Sequence, residues 1–144
     1  FLGFIDFIVR NKKTGRYRII DFKTSTKGWS KYQKSDPIKN TQILLYKKFY
    51  SEMLGVSLDM IEVEFIILKR KVSENTEYNI PRISRHIPAN GKPSVNKAWD
   101  GFLSFVNSVF DEAGNYRMDV PYVKKPSRMC TYCEFLGKHC DGKP

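Results

Sequence analysis

The sequence predicts a mixed α/β (α+β) fold with one central mixed β-sheet flanked by helices. Runs rich in Ile, Val, Phe and Tyr predict strands, and they alternate with two longer stretches whose apolar residues recur at helical spacing. The predicted order is hairpin, helix, strand, strand, helix and tail, which is typical of α/β and α+β domains. The 144 residues are enough to bury a hydrophobic core.

The first predicted element is a β-hairpin. Residues 4–10 and 16–23 each have the composition of a strand, and the polar segment 11–15, which ends in a glycine, predicts the turn between them. Residues 24–36 are polar and basic, and we predict that they form a loop.

The register of this hairpin decides what its acidic residues do. In one register Asp6 lies directly opposite Asp21, with Cβ atoms about 5 Å apart. In a register shifted by two residues Asp6 lies opposite Lys23, which would be an ordinary cross-strand ion pair. The sequence alone does not choose between these two alternatives.

A helix is predicted after the loop. Asp36 can cap its first amides and Pro37 suits the first helical position, while Gly55 follows Leu54 as a C-terminal stop. A stripe at helical spacing predicts its buried face: Ile38, Gln42, Leu45, Tyr46, Phe49, Tyr50 and Met53.

The rest of the chain predicts two strands and a second helix. Residues 61–69 predict a buried central strand. Residues 76–87 predict another strand, which Pro81 confines to a sheet edge or a bulge because it has no amide to donate to a ladder. An amphipathic helix is predicted over residues 94–110, closed by Gly114.

Charge gives a first indication of the partner. Lys and Arg number 25 against 15 Asp and Glu, so the formal net charge is +10. Such an excess attracts polyanions, although a solvated basic surface has the same composition. No apolar run approaches the roughly 20 residues of a membrane span, and no signal segment is present. We therefore expect a soluble, cytoplasmic protein with no membrane partner.

Asp6, Asp21 and Lys23 are the candidate active centre. Two carboxylates on neighbouring strands repel each other, and a divalent cation between them would reverse the sign of that interaction. Hard oxygen ligands suit Mg²⁺ or Mn²⁺. Lys23 shares a strand face with Asp21, where its charge could orient a water or stabilise a phosphorane-like transition state.

Three short motifs occur in order along the first part of the chain: GFID at 3–6, IDFKT at 20–24 and QILLY at 42–46. Together they resemble the PD-(D/E)XK nuclease superfamily, and most closely its RecB-like branch, which includes CRISPR-adaptation exonucleases and phage nucleases. The resemblance implies a restriction-endonuclease-like core. It also implies that the metal ligands are Asp6, Asp21 and the backbone carbonyl of Phe22, and that Lys23 is the catalytic lysine.

Gln42 and Tyr46 match the helix motif of these nucleases, which supports the active site or the DNA strand. Residues at i and i+4 share a helix face. Without the motif, Tyr46 would be interpreted as a core residue and Gln42 as a surface one. Relatives also carry an upstream helix that contributes a Glu or His. Because no residue precedes Phe1, we expect this N-terminal helix to be missing and the site to be incomplete.

The resemblance implies a Mg²⁺-dependent deoxyribonuclease, more an exonuclease than an endonuclease, in DNA replication, recombination or repair of a bacterial or phage-infected cell. Its expected partners are DNA and replication or recombination proteins. The alternatives are a non-catalytic nucleic-acid-binding module and a degenerate nuclease domain of a larger helicase–nuclease assembly. We expect a nuclease core at residues 1–114 and a cysteine-containing tail packed on it at residues 115–144.

Basic and aromatic residues follow the Lys23 strand. Aromatic rings can stack on bases while lysines track phosphates; the alternative is a solvated loop anchored by one tryptophan. Residues 69–71 could also contact DNA, although charges that merely solubilise a strand end are the favoured interpretation. The nucleic-acid-binding candidates are Thr24, Lys27, Trp29, Lys31 and Tyr32.

The chain has three cysteines, Cys130, Cys133 and Cys140. Their odd number and short spacing argue against a secreted disulfide framework. They resemble the C-terminal cysteines of the iron–sulfur members of the family, which implies a 4Fe–4S cluster in the intact protein, although the family's upstream fourth cysteine is absent. Zn²⁺ with His139 as the fourth ligand and vestigial cysteines are the alternatives.

Overall fold

A mixed four-stranded sheet is the centre of the computed structural model, which describes residues 3–71, 81–121 and 126–141. The chain divides into two compact units, Phe1–Ser104 and Phe105–Pro144. The predicted division after residue 114 stays a prediction. The elements are β1 (Phe7–Arg10), β2 (Tyr17–Ser25), α1 (Lys31–Lys34), α2 (Pro37–Leu54), β3 (Ile61–Lys69), β4 (Ile83–His86) and α3 (Lys92–Val109).

The strand order in the sheet is β1-β2-β3-β4. β1 is antiparallel to β2, β2 is parallel to β3, and β3 is antiparallel to β4. Parallel neighbours need a long crossover, and α2 supplies it between β2 and β3. The predicted mixed sheet with flanking helices is therefore confirmed.

The hairpin takes the register that brings the two acids together. Continuing the observed pairing by one residue beyond β1 places Asp6 opposite Asp21 rather than opposite Lys23. The observed pairs are Phe7–Ile20, Ile8–Ile19, Val9–Arg18 and Arg10–Tyr17.

β1 begins at Phe7, three residues later than predicted. The reason lies in Asp6, whose carboxylate Oδ2 accepts a hydrogen bond from the backbone N–H of Phe22 at 2.9 Å. A side chain therefore takes the position of a ladder hydrogen bond, and regular pairing stops there. The strand therefore begins after Asp6, and the Asp6 carboxylate lies at the edge of β2.

The bounds of α2 agree with those predicted. Asp36 Oδ1 accepts from the N–H of Ile38 at 3.0 Å, Pro37 occupies the first turn, and Gly55 takes the left-handed conformation at φ 64°. Capping and stop signals are local, so the sequence alone was sufficient to predict this helix.

α2 has two buried faces. Ile43 and Tyr46 pack on the sheet, and Leu44 packs against α3. The predicted single stripe is wrong at its ends, because Ile38 and Met53 are 83% and 71% exposed. A helix placed between a sheet and a second helix buries a broader arc than one stripe, and its ends extend past both layers.

The later elements shift slightly from their predicted bounds. β3 matches its predicted range, and β4 lies at the edge of the sheet, as predicted. Within the described residues β4 is Ile83–His86, so it begins after Pro81 and not before it; residues 76–80 of the predicted strand lie outside the described residues. α3 begins at Lys92, earlier than predicted, because Pro93 is tolerated in a first helical turn and the N–H of Val95 donates to Gly91.

In the second unit, α3 ends at Val109 and Gly114 is not its stop. Gly114, at φ 83°, belongs to a separate turn that leads to a bridge between Phe110 and Tyr116. A short 3-10 turn, Arg128–Tyr132, follows. Within the described part of the chain, no helix is both long and apolar enough to cross a membrane.

Candidate active site

Asp21 is a buried carboxylate on β2, on the sheet face that packs against α2. It is 3% exposed, and its Oδ2 atom has no hydrogen-bond partner within the described ranges. Burial raises the pKa of Asp21 above that of an exposed aspartate; Lys23 opposes this rise, and the nearby charge of Asp6 adds to it. An acceptor kept from water without a donor is costly unless a cation satisfies it.

Asp6 brings the second carboxylate to the same place. Its hydrogen bond to the Phe22 N–H fixes it at the edge of β2 where β1 has ended. The N–H and C=O of one strand residue point to the same neighbouring strand. The Phe22 carbonyl therefore faces the edge occupied by Asp6, as the implied ligand set requires, while the Phe22 side chain is exposed on the other sheet face.

Lys23 contacts both Asp21 and helix α2. Its Nζ atom lies 2.7 Å from Asp21 Oδ2 and 3.5 Å from Gln42 Oε1. The contact with Asp21 is an ion pair, and no other donor reaches Oδ2 among the described residues. The side chain is 30% exposed, so its ammonium can reach a ligand from solvent.

Gln42 and Tyr46 continue this network along α2. Gln42 Nε2 donates to Tyr46 Oη at 3.0 Å. Tyr46 is 6% exposed and belongs to the hydrophobic core, so it is both a core residue and a partner of the site. The contacts run continuously from Asp21 through Lys23 and Gln42 to Tyr46.

The oxygen atoms at this site fit the coordination preferences of a hard divalent cation. Two carboxylates and one backbone carbonyl are oxygen ligands of the kind that Mg²⁺ and Mn²⁺ take, and burial of Asp21 favours a cation beside its carboxylate. Within residues 3–71, 81–121 and 126–141, no group of three or more His, Cys, Asp or Glu could hold a metal. Further ligands would therefore be water or substrate, which Mg²⁺ commonly keeps.

The predicted nucleic-acid-binding residues divide into two groups. Thr24, Lys27, Lys31 and Tyr32 are exposed, with the last two on α1. Trp29 instead packs against the core, which corresponds to the anchoring alternative. Base stacking and phosphate contact by these five residues stay predictions.

The contacts of Trp29 involve a residue that the sequence did not single out for the site. The Trp29 ring lies 5.1 Å from Phe65 and 6.1 Å from His86. His86 is in register with Phe65, which is in register with Asp21, so His86 is on the same sheet face as the acids. The order of strands in the sheet was needed to find it, because no local signal links β4 to β2.

The cysteines give no support to a metal centre. Cys130 and Cys140 are half-buried, Cys133 is exposed, and all three are free thiols. No metal-binding group that includes them was found in the described part of the tail, nor does His139 complete one there. The 4Fe–4S cluster and the zinc site stay predictions.

Comparisons with known proteins place the chain in a family. Neither the curated proteins nor the solved structures gave a significant match. A sequence model of the PD-(D/E)XK nuclease superfamily matches residues 1–137, a span that holds the two carboxylates, Lys23 and the α2 motif, and the observed mixed α/β fold agrees with it. The match does not distinguish a branch within the superfamily. The chain therefore belongs to the PD-(D/E)XK nuclease superfamily.

Proposed function

We propose that the chain is a divalent-metal-dependent deoxyribonuclease whose active centre is Asp6, Asp21 and Lys23. Membership of a nuclease superfamily implies a nucleic-acid substrate. The observation that carries the assignment is the buried carboxylate of Asp21 on the sheet face beside Asp6, with the Lys23 ammonium 2.7 Å from its Oδ2 atom.

Mg²⁺ or Mn²⁺ would be held by Asp6, Asp21 and the backbone carbonyl of Phe22. When bound, the ion would supply Lewis-acid activation of a phosphoryl oxygen and of water. Burial of Asp21 strengthens its attraction for a cation, because charges interact more strongly where water is excluded.

Lys23 acts on the phosphodiester directly in this proposal. Its ammonium lies beside the Asp21 carboxylate, which would hold the metal ion, and there it would stabilise the negative charge that grows on the phosphoryl oxygens during in-line attack by water. Gln42 is a positioning residue: its Oε1 atom holds Lys23 on the side facing α2, and its amide is in turn fixed by Tyr46.

The finer assignments rest on the motifs. The resemblance to RecB-like nucleases supports exonuclease action, a role in DNA replication, recombination or repair, and a cytoplasmic location in a bacterial or phage-infected cell. The net charge of +10 supports a nucleic-acid ligand. Replication or recombination proteins are the proposed protein partners.

The proposed function is tested with the purified chain on linear and covalently closed circular DNA, with Mg²⁺, Mn²⁺ or EDTA. We expect cleavage with either metal, none with EDTA, and a preference for linear DNA. A chain that binds both DNAs equally well in EDTA and cleaves neither with metal would instead be the non-catalytic module or the degenerate domain. Cleavage of circular DNA at the rate of linear DNA would contradict the exonuclease assignment alone.

A further inference from the structure

Six basic residues gather where the parallel strands β2 and β3 end. They come from the ends of the two strands, from the loop after β2 and from α1. Five of the six side chains are exposed, and that of Lys69 is half-buried. The basic patch consists of Lys27, Lys31, Lys34, Lys69, Arg70 and Lys71.

Backbone contacts hold the two halves of the patch together. The N–H of Arg70 donates to the Ser25 carbonyl at 2.8 Å, and the N–H of Lys71 donates to the Thr26 carbonyl at 3.0 Å. Arg70 Nη2 also donates to Thr26 Oγ1 at 3.0 Å. These bonds continue the pairing of β2 with β3 past both strand ends, so Arg70 and Lys71 lie beside the loop that carries Lys27.

Gly28 lets Lys69 approach this loop closely. Its backbone is at φ 103°, and a Cβ atom there would lie 3.1 Å from Lys69 Cε. Ser25 Oγ donates to the Gly28 carbonyl at 2.8 Å and fixes the loop in that conformation. The positive φ favours glycine at this position, and the aliphatic stem of Lys69 lies against it.

α1 is fixed on the same side. The carbonyl of Lys34 accepts from Asn40 Nδ2 at 3.0 Å and lies 3.1 Å from His86 Nε2, while Trp29 packs on Phe65. The loop and α1 are thereby fastened to the sheet and to α2. A surface that is ordered before a ligand arrives loses less conformational entropy on binding.

Among the described residues, the patch has no carboxylate partner, unlike Arg18 and Arg85 in the sheet. On the sheet face opposite to Asp21, Arg18 pairs with Glu62 at 2.6 Å, and Arg85 pairs with Glu64. None of the six patch residues forms an ion pair with an Asp or Glu of the described ranges. Gathered positive charges without counter-charges repel each other, and a polyanion relieves that repulsion.

We propose that the basic patch binds phosphates of the DNA strand on one side of the scissile bond. This inference rests on the proposed function for the identity of its ligand. From Lys23 to Thr26, the first residue after β2, is three residues, or about 10 Å at roughly 3.3 Å per residue of extended chain. Along the axis of duplex DNA, that is about three base-pair steps of roughly 3.4 Å. Residues 69–71, which the sequence favoured as solubilising charges, are assigned to this contact.

The test compares two triple variants of the full chain that lose the same charge. Lys27→Gln, Arg70→Gln and Lys71→Gln remove charge from the patch. Lys12→Gln, Lys13→Gln and Lys97→Gln remove it from exposed lysines on the hairpin turn and on α3. Binding of a fluorescein-labelled single-stranded oligodeoxynucleotide is followed by anisotropy in EDTA over a salt series, after thermal melts have shown that both variants are folded.

The salt dependence separates the outcomes. In the patch variant, the slope of the logarithm of the DNA association constant against the logarithm of the salt concentration should flatten by about 2. Each of the three lost phosphate contacts to a single strand contributes about 0.7. The control variant should keep the wild-type slope. Equal slopes in both variants, or an unchanged slope in the patch variant, would overturn the inference. Because EDTA prevents cleavage, this experiment measures DNA binding alone. If only the patch variant loses slope and the wild-type chain never cleaves DNA with metal, the basic patch is upheld and the nuclease assignment is refuted.

Discussion

The Lys23 ammonium lies 2.7 Å from the buried Oδ2 atom of Asp21. These residues are two apart on β2, so their side chains share one face of the sheet. The ion pair limits the cost of burying the Asp21 charge, and no other donor reaches Oδ2 among the described residues. A cation at Oδ2 would take over that neutralising role and leave Lys23 available to the substrate phosphate.

Replacing Asp21 with Asn should abolish metal-dependent cleavage. The substitution keeps the shape of the side chain and removes the charge that holds the ion, so the loss should reach about 10²-fold or more. Steady-state cleavage of labelled linear DNA measures it. Asp100→Asn, on an exposed position of α3, is the matched control and should keep the wild-type rate. Wild-type cleavage by the Asp21 variant would remove Asp21 from the site.

Replacing Lys23 with Ala should separate metal binding from chemistry. Loss of the ammonium removes a like charge next to the cation, so Mn²⁺ affinity should stay equal or rise, while kcat falls about 10²- to 10³-fold. Mn²⁺ titration followed by electron paramagnetic resonance measures the first quantity, and single-turnover cleavage measures the second. Lys13→Ala serves as control. A variant that loses Mn²⁺ affinity in proportion to its activity would show that Lys23 acts only through the ion.

The hydroxyl of Tyr46 should matter for kcat and little for KM. Tyr46→Phe keeps the buried ring and removes the acceptor of the Gln42 amide, whose net worth of about 1 kcal/mol corresponds to a roughly five-fold fall in kcat. Tyr50→Phe, on the same helix and packed against Tyr17, is the control. Equal changes in kcat and KM, or a similar effect in the control, would indicate a packing role instead.

The raised pKa of Asp21 predicts how stability depends on pH without metal. Burial favours the protonated carboxyl in the folded chain, so the folded state binds a proton more tightly than the unfolded state. The free energy of unfolding should therefore fall as pH rises from the normal aspartate pKa of 3.8 through the raised one, and stay lower above it. Urea unfolding across this range should show that fall in wild type and a flatter curve in Asp21→Asn. Parallel curves would mean that Asp21 titrates normally.

Local signals were enough to predict much of this fold. The Asp36 cap and Gly55 stop bounded α2, and β3 matched its predicted range because both depend on neighbouring residues alone. The start of α3 and the role of Gly114 were wrong because Pro93 and a later turn offered competing end signals.

The site was only partly predictable, because its contacts join distant elements. The motifs named Asp21, Lys23 and Gln42, but the 3.5 Å contact of Lys23 with Gln42 exists only because α2 crosses over β2 on one face of the sheet. The hairpin register depends on the geometry of the turn, and the turn sequence at residues 11–15 is compatible with more than one register. Trp29 became an anchor through Phe65, a residue that no local pattern connects to it.

Anomalous diffraction from crystals of the chain soaked in Mn²⁺ tests the pairing of the two acids by a cation most directly. The account predicts one Mn²⁺ peak within coordination distance of a carboxylate oxygen of Asp6 and of Asp21, and no such peak in crystals of Asp21→Asn. A Mn²⁺ ion bound elsewhere in a chain that still cleaves DNA, with these two carboxylates left apart, would contradict it.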